Sequence, residues 1–126
     1  MELSSVRKGR IGELKVIIDL LKKNYDVYTP VIDDKGIDLL VSNGDIVRKV
    51  QVKSHDNNKY KSSVEINTRF CKKSDVIAVP LLIKNCICYI PSNTVKRSIN
   101  ISFKDTNISN GKPKHWYKNY LDFPWK

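Results

Sequence analysis

The first periodic pattern of apolar residues runs from Val6 to Lys23. Its apolar members recur at i, i+3, i+4 and i+7, with Lys and Arg on the other side: Leu14, Ile17, Ile18 and Leu21. This spacing predicts an amphipathic helix whose apolar stripe faces the core. Glu13 lies beside Ile17 at the flank of that stripe, so its carboxylate can reach under the edge of a sheet. Asn24 can end the helix.

The residues after the helix predict a sheet. Val27–Thr29 precedes Pro30 and suits a short edge strand, because proline cannot donate to a ladder. An Asn-Gly pair at 43–44, a strong hairpin signal, separates two β-rich runs, Ile37–Val41 and Ile46–Lys53. The later expectations are strands at Val64–Asn67, Val76–Ile83 and Cys86–Ile90, a basic turn or short helix at Arg69–Lys73, a short helix from Pro91 to Arg97, an edge strand at Ile101–Phe103 and a helical turn at Trp116–Leu121.

This order of elements predicts an α+β fold, similar to an α/β/α sandwich, in which helices flank a mixed β-sheet of about five strands. The length of 126 residues suits one hydrophobic core, so we expect a single domain over residues 1–126.

The predicted hairpin brings polar side chains onto one face. If the Asn-Gly pair forms a two-residue loop, residues whose numbers sum to 87 oppose each other, and Asp38 faces Lys49. Gln51 and Lys53 alternate onto the same face. The opposite face takes the apolar residues Ile37, Leu39, Val50 and Val52.

Composition narrows the class of partner. The chain carries 23 Lys and Arg against 13 Asp and Glu, a formal net charge of +10. This charge favours a polyanionic binding partner, and nucleic acid is the first candidate. The chain has neither a long apolar run nor a signal-peptide pattern, so we expect a cytoplasmic, DNA-associated protein without membrane contact. Three cysteines without a secretory signal favour reduced thiols.

Two patterns near the C-terminus have alternative interpretations. Cys86 and Cys88 could bind zinc, but no second Cys or His pair lies at ligand spacing, which favours burial as small hydrophobic side chains. The clustered aromatic residues could stack on exposed bases, although closing the core or a subunit interface is the favoured role. These residues are Trp116, Tyr117, Tyr120, Phe123 and Trp125.

Asp38 is the central candidate for chemistry. Carboxylates held on a rigid sheet and helix form a hard-oxygen site that suits Mg²⁺ or Mn²⁺. Asp38 would be the primary ligand, with the amide oxygen of Gln51 and the backbone carbonyl of Val52. Glu13 would anchor the water shell of the ion from the helix. Lys53 could orient or deprotonate the attacking water, or neutralise charge on the phosphate.

These residues also have structural interpretations. A single Asp followed by a Lys after a turn is common. Glu13 could be a solvated helix residue paired with Lys15 or Lys23, which would contribute little stability. Asp33 and Asp34 are more typical of a turn that precedes a strand than of metal ligands.

Three motifs together resemble the PD-(D/E)XK nuclease superfamily: Gly9-Arg-Ile-Gly12-Glu13, Pro30-x-x-Asp33-Asp34-x-Gly36-Ile-Asp38 and Gln51-Val-Lys53. The likeness is to homing endonucleases of group I introns that use Gln in the third motif, and to archaeal-type Holliday junction resolvases. It implies a restriction-endonuclease-like core, with catalytic roles for Glu13, Asp38, Gln51 and Lys53. Gln51 departs from the Glu or Asp that most members carry.

We therefore expect a Mg²⁺-dependent DNA endonuclease that hydrolyses phosphodiester bonds and selects branched DNA, as Holliday junction resolvases do. The alternatives are a site-specific homing endonuclease, which cuts duplex DNA, and a non-catalytic nucleic-acid-binding module. Cutting two strands calls for a homodimer or a higher homo-oligomer. The residues expected to contact DNA are Arg10, Ser54, His55, Lys59, Lys61, Arg69, Lys72 and Lys73.

Overall fold

The computed structural model describes residues 2–32, 36–55, 62–104, 108–109, 112–113 and 115–126. Within these ranges the chain forms an α-helix, α1 (Ser5–Lys22), and short 3₁₀ helices at Ser92–Thr94 and Tyr117–Tyr120. The strands are β1 (Asp26–Tyr28), β2 (Leu39–Ser42), β3 (Val47–Val52), β4 (Ser63–Asn67), β5 (Val76–Leu81), β6 (Cys86–Pro91), β7 (Ser98–Ser102), β8 (Ile108–Ser109), β9 (Lys112–Pro113) and β10 (His115–Trp116). None of the described helices is long and apolar enough to cross a membrane.

The main sheet has five strands in the order β1-β2-β3-β5-β6. It is mixed, because β3 and β5 run parallel while the other neighbours are antiparallel. The predicted α+β class and five-stranded mixed sheet are confirmed. One face packs against α1, and the other face packs against a second sheet in the order β10-β7-β4.

The prediction of an edge strand at Ile101–Phe103 is wrong. The observed strand, β7, is central in the second sheet because it pairs with β4 on one side and with β10 on the other. The helix predicted from Pro91 to Arg97 shortens to Ser92–Thr94, after which Val95 returns to extended backbone.

Strand β5 separates two hydrophobic cores. All of its side chains are buried and alternate between the two faces of the main sheet. Val76 and Ala78 join the core beneath α1, while Ile77 and Val79 join the core shared with the second sheet. A strand buried on both faces reads as a continuous apolar run, as this one does.

The C-terminal aromatic residues close these cores, in agreement with the favoured interpretation of the sequence. Phe123 is buried in the α1 core, where Trp125 packs beside it, and Tyr117 and Tyr120 pack against the second core. Cys88 is buried and its thiol donates to the Tyr117 carbonyl at 3.5 Å, so its role in packing is confirmed.

The predicted register of the β2-β3 hairpin is wrong by two residues. Leu39 pairs with Val50, so paired numbers sum to 89. The turn is centred one residue later than expected because the Asn43 side chain accepts hydrogen bonds from the backbone N–H groups of Asp45 and Ile46, at 3.0 and 2.9 Å. Asn43 thus forms the corner that precedes the turn. A shift of two leaves every side chain on its predicted face.

The predicted core face of α1 is wrong for three of its four residues. Ile17 is partly buried and packs against the core, but Leu14, Ile18 and Leu21 are about half exposed. The buried residues of the helix are Gly12, Val16 and Leu20. The reason lies at Gly12, where a Cβ atom would stand 2.9 Å from the Ser54 hydroxyl oxygen. The missing side chain lets the helix approach β3 closely, and a stripe that contains glycine is underestimated when only apolar residues are counted.

Candidate active site

Asp38 lies where the β2-β3 ladder ends. Its backbone N–H donates to the Val50 carbonyl at 2.9 Å, and the backbone N–H of Val52 donates to its Oδ2 at 2.7 Å. The carboxylate therefore accepts a bond that a strand carbonyl would otherwise accept. A carboxylate bound by a backbone N–H has a fixed position, so Asp38 is held against the end of β3.

Gln51 lies on the sheet face opposite α1. It pairs with Ile77, whose side chain belongs to the second core, and paired residues share a face. Gly36 adopts φ +72°, and a Cβ there would stand 3.8 Å from the Gln51 Nε2 atom. The amide of Gln51 thus lies against the segment that leads into Asp38. Continued by one residue, the β2-β3 register sets Asp38 opposite Gln51, and the convergence of their side chains on one ion stays a prediction.

Lys53 follows Gln51 by two residues and is half-buried. Its backbone N–H donates to the Ala78 carbonyl at 2.9 Å, which extends the pairing of β3 with β5. Lys53 therefore continues the strand that carries Gln51, and alternation sets both side chains on the same face of the sheet. Burial raises the pKa of the Cys71 thiol, while the positive charge of Lys53 lowers it and the negative charge of Asp38 raises it.

The backbone of Val52 is oriented as a metal ligand would require. Its N–H points toward Asp38, and the N–H and carbonyl of one strand residue point to the same side. The last paired residues of β2 and β3 are Leu39 and Val50, so the Val52 carbonyl faces the Asp38 side beyond the ladder.

Carboxylate, amide and carbonyl oxygens are the donors that Mg²⁺ accepts, together with several waters, so Asp38, Gln51 and Val52 fit such an ion. Across the described ranges, no three acidic, imidazole or thiol side chains are grouped as a metal site. A site formed by Asp38, Gln51 and the Val52 carbonyl would combine one anionic oxygen donor with two neutral ones.

Glu13 reaches this end of the sheet from the α1 face. The preceding residue, Gly12, packs against Ser54 and lies near the Val52 side chain, so this turn of α1 crosses the end of β3. The Glu13 carboxylate forms an ion pair with Arg10 at 3.0 Å, and its side chain is 22% exposed. The structure therefore brings the helix to the site but gives Glu13 a cationic partner on its own helix.

The remaining residues predicted to contact DNA fall into two groups. Ser54 is exposed and His55 is half-buried directly after β3, while Arg69, Lys72 and Lys73 are exposed between β4 and β5. We call residues 68–74 the basic turn. The positions named from the sequence that lie outside the described residues are Asp33, Asp34, Lys59 and Lys61.

Sequence reasoning missed an open cavity of about 480 Å³ beside the basic turn. Its lining includes Lys72, Asp75, Ser92, Lys96 and Lys126. These residues come from separate parts of the chain, and only tertiary packing brings them together. No local spacing in the sequence could have identified the group.

Comparisons with known proteins agree with this geometry. The family model for the PD-(D/E)XK endonuclease matches residues 3–121. A bacterial homing endonuclease of known structure has a TM-score of 0.75 and 21% identity, over 94% of this chain and 87% of that chain. Hjc, a Holliday junction resolvase from the archaeal hyperthermophile Archaeoglobus fulgidus, has a TM-score of 0.55 and 13% identity, over 75% and 84%. No curated protein matches the chain significantly.

Proposed function

Because the chain belongs to the PD-(D/E)XK endonuclease family, we propose that it hydrolyses DNA phosphodiester bonds with Mg²⁺ or Mn²⁺ at the end of β3. The observation that supports this most directly is the 2.7 Å hydrogen bond from the Val52 N–H to Asp38. It holds the Asp38 carboxylate against the end of β3, the strand that carries Gln51 and is followed directly by Lys53.

In this proposal Asp38, Gln51 and the Val52 carbonyl hold the ion. When bound, the ion would stabilise negative charge on the phosphate as a Lewis acid. Asp38 supplies the anionic ligand, and its bond to the Val52 N–H keeps it in place without substrate. Gln51 supplies a neutral oxygen, so the site binds the ion less strongly than one with two carboxylates.

Lys53 would lie at the attacked phosphate. Lys53 is partly buried as a residue, and bound DNA would shield its ammonium group further from water, so that its charge would stabilise the charge developing on the phosphate more effectively. Glu13 would support the water shell of the ion from α1. Since it pairs with Arg10, the approach of a phosphate to Arg10 would compete with that pair.

We propose branched DNA as the first substrate and a specific duplex site as the alternative. Similarity to a homing endonuclease over 94% of the chain supports the alternative, as does the Gln-x-Lys motif. Similarity to a junction resolvase supports the first. Cutting both strands would require two symmetric subunits, so we also propose a homodimer or higher homo-oligomer, which sedimentation with and without DNA would test.

Cleavage assays would test the proposed function. A labelled four-way junction and a linear duplex of the same sequence are incubated with the protein in Mg²⁺ or in EDTA. We expect metal-dependent cutting that Asp38→Asn and Lys53→Ala abolish, while Lys15→Ala, on the exposed surface of α1, cuts normally. Cutting confined to the junction supports a resolvase, and cutting of the duplex at particular positions supports the homing type. Tight binding without cutting in Mg²⁺ or Mn²⁺ contradicts the proposal and supports a non-catalytic module.

A further inference from the structure

Phe70 is the most exposed aromatic residue in the described part of the chain, with a relative exposure of 75%. Single exposed hydrophobic residues are common on protein surfaces, so exposure alone carries no function. Two further features of its surroundings set Phe70 apart: the backbone that presents it is fixed on both sides, and the side chains around it in the chain are cationic.

The basic turn is anchored on either side of Phe70. Thr68 and Cys71 are 2% and 1% exposed. The Thr68 N–H donates to the Arg97 carbonyl at 2.9 Å, and the Cys71 N–H donates to the Thr68 carbonyl at 3.1 Å. The Ser74 hydroxyl then donates to the Cys71 carbonyl at 2.7 Å. The ring is therefore held outward by a well-bonded backbone, which lowers the entropic cost of binding through it.

The charges around Phe70 favour a polyanion. Arg69, Lys72 and Lys73 are exposed, and the described part of the turn between Thr68 and Ser74 contains no acidic residue. The turn leads directly into β5, where the Asp75 N–H donates to the Lys49 carbonyl at 2.8 Å and Val76 pairs with Val50, so it lies beside the strand that carries Gln51. DNA whose phosphodiester lies at Lys53 would pass beside this turn.

We propose that Phe70 stacks on a base of the bound DNA that has lost stacking with a neighbouring base, while the cations of the basic turn hold the adjacent phosphates. This inference rests on the proposed function for its choice of DNA. An aromatic ring and a base attract each other through their faces, but in a regular duplex both faces of each internal base are already covered. Phe70 therefore selects DNA with an accessible base face, at a branch point or at a kinked step.

Binding measurements without cleavage would test this inference. A four-way junction with 2-aminopurine placed in turn at each position next to the branch point is titrated in EDTA with the wild type, Phe70→Ala and Phe70→Trp. Leu21→Ala is the control, because Leu21 is an exposed large hydrophobic residue near the C-terminal end of α1, on the other side of the main sheet. Melting temperatures check that the variants are folded.

We expect Phe70→Ala to weaken junction binding by roughly ten- to a hundredfold. In the wild type, 2-aminopurine fluorescence beside the branch point should change on binding, because the ring comes to cover a base face. Phe70→Ala should abolish this change without altering the dependence of binding on salt, because no cation is lost. Phe70→Trp should keep both properties, and Leu21→Ala should bind as the wild type does. Unchanged affinity and fluorescence in folded Phe70→Ala would overturn the proposal. So would dissociation of a DNA-free oligomer by this variant, because Phe70 would then be a subunit contact.

The proposed function can fail separately. If the wild type shows the Phe70-dependent fluorescence change in EDTA but never cuts DNA in Mg²⁺ or Mn²⁺, stacking by Phe70 stands and catalysis does not. If the wild type cuts and Phe70→Ala binds and cuts normally, catalysis stands and the stacking role is wrong.

Discussion

Asp38 has two roles that different substitutions should separate. Its carboxylate is the candidate metal ligand, and it also accepts the 2.7 Å hydrogen bond from the Val52 N–H. Asp38→Ala removes the acceptor and leaves a partly buried N–H without it, at a cost of about 1–2 kcal/mol. Asp38→Asn keeps an oxygen that can accept this bond. A neutral acceptor is roughly half as strong as a charged one, so we expect a loss of about 0.5–1 kcal/mol.

The two variants should therefore differ in stability by about 1 kcal/mol, which corresponds to roughly 3–5 °C in Tm for a domain of this size. Urea denaturation and thermal unfolding measure this difference. Both variants should lose at least about a hundredfold in cleavage rate, because neither carries the anionic ligand. If Asp38→Ala is as stable as Asp38→Asn, the bond to Val52 does not hold the site, and the argument for a preformed carboxylate fails.

Three further sets of changes test other parts of the structure. Gly9→Ala should stabilise the protein by about 0.5–1 kcal/mol, because a Cβ at Gly9 meets nothing within 4 Å. Gly12→Leu should instead destabilise it by about 1–3 kcal/mol, because the new side chain would crowd the end of β3. If urea denaturation shows that both substitutions stabilise the protein, or that both destabilise it, the described packing of α1 is contradicted. Tyr89→Phe should lower the free energy of unfolding by about 1–2 kcal/mol, because it removes the hydrogen bond to Asp19. Burial and that bond raise the pKa of Tyr89, so the stability contributed by the neutral phenol is complete below about pH 10 and is lost as the pH rises above it. Above pH 10 the free energy of unfolding of Tyr89→Phe should therefore fall less than that of the wild type. Parallel curves of this free energy against pH would contradict this. Gln51→Glu should lower the Mg²⁺ concentration needed for half-maximal cutting, since it adds an anionic ligand; an unchanged metal titration would exclude Gln51 from the ion.

The central strands of the main sheet were largely predictable from local patterns. The β-rich runs around the Asn-Gly pair and the apolar runs at Val76 and Cys86 correspond to β2, β3, β5 and β6, with ends that differ by one to a few residues. β-branched residues and turn residues are local signals, and they agree here with the tertiary structure. The strand β4 was predicted, but the second sheet was not, because its strands β4, β7 and β10 come from distant parts of the sequence.

The helix was predicted in position but not in orientation. Its exposed side carries Leu14, Ile18 and Leu21 at spacings that are typical of a core-facing stripe. The structure instead buries Val16 and Leu20 with Gly12. Two apolar stripes compete on one helix, and periodicity alone cannot choose between them. The choice depends on how closely the backbone of α1 can approach β3, which is a property of the packed structure.

These two errors had unequal consequences for the candidate site. A register shift of two residues in the hairpin preserved the alternation of side chains, so Asp38, Gln51 and Lys53 kept the face that the sequence predicted. Side chains on a helix do not alternate between two faces, so a rotation of α1 about its axis moves every side chain relative to the sheet. The placement of Glu13 therefore depends on Gly12 packing against Ser54, and its carboxylate meets Arg10. Strand alternation thus supports the roles proposed for Asp38, Gln51 and Lys53 more firmly than helical periodicity supports the role of Glu13, which a cleavage assay of Glu13→Gln must establish separately.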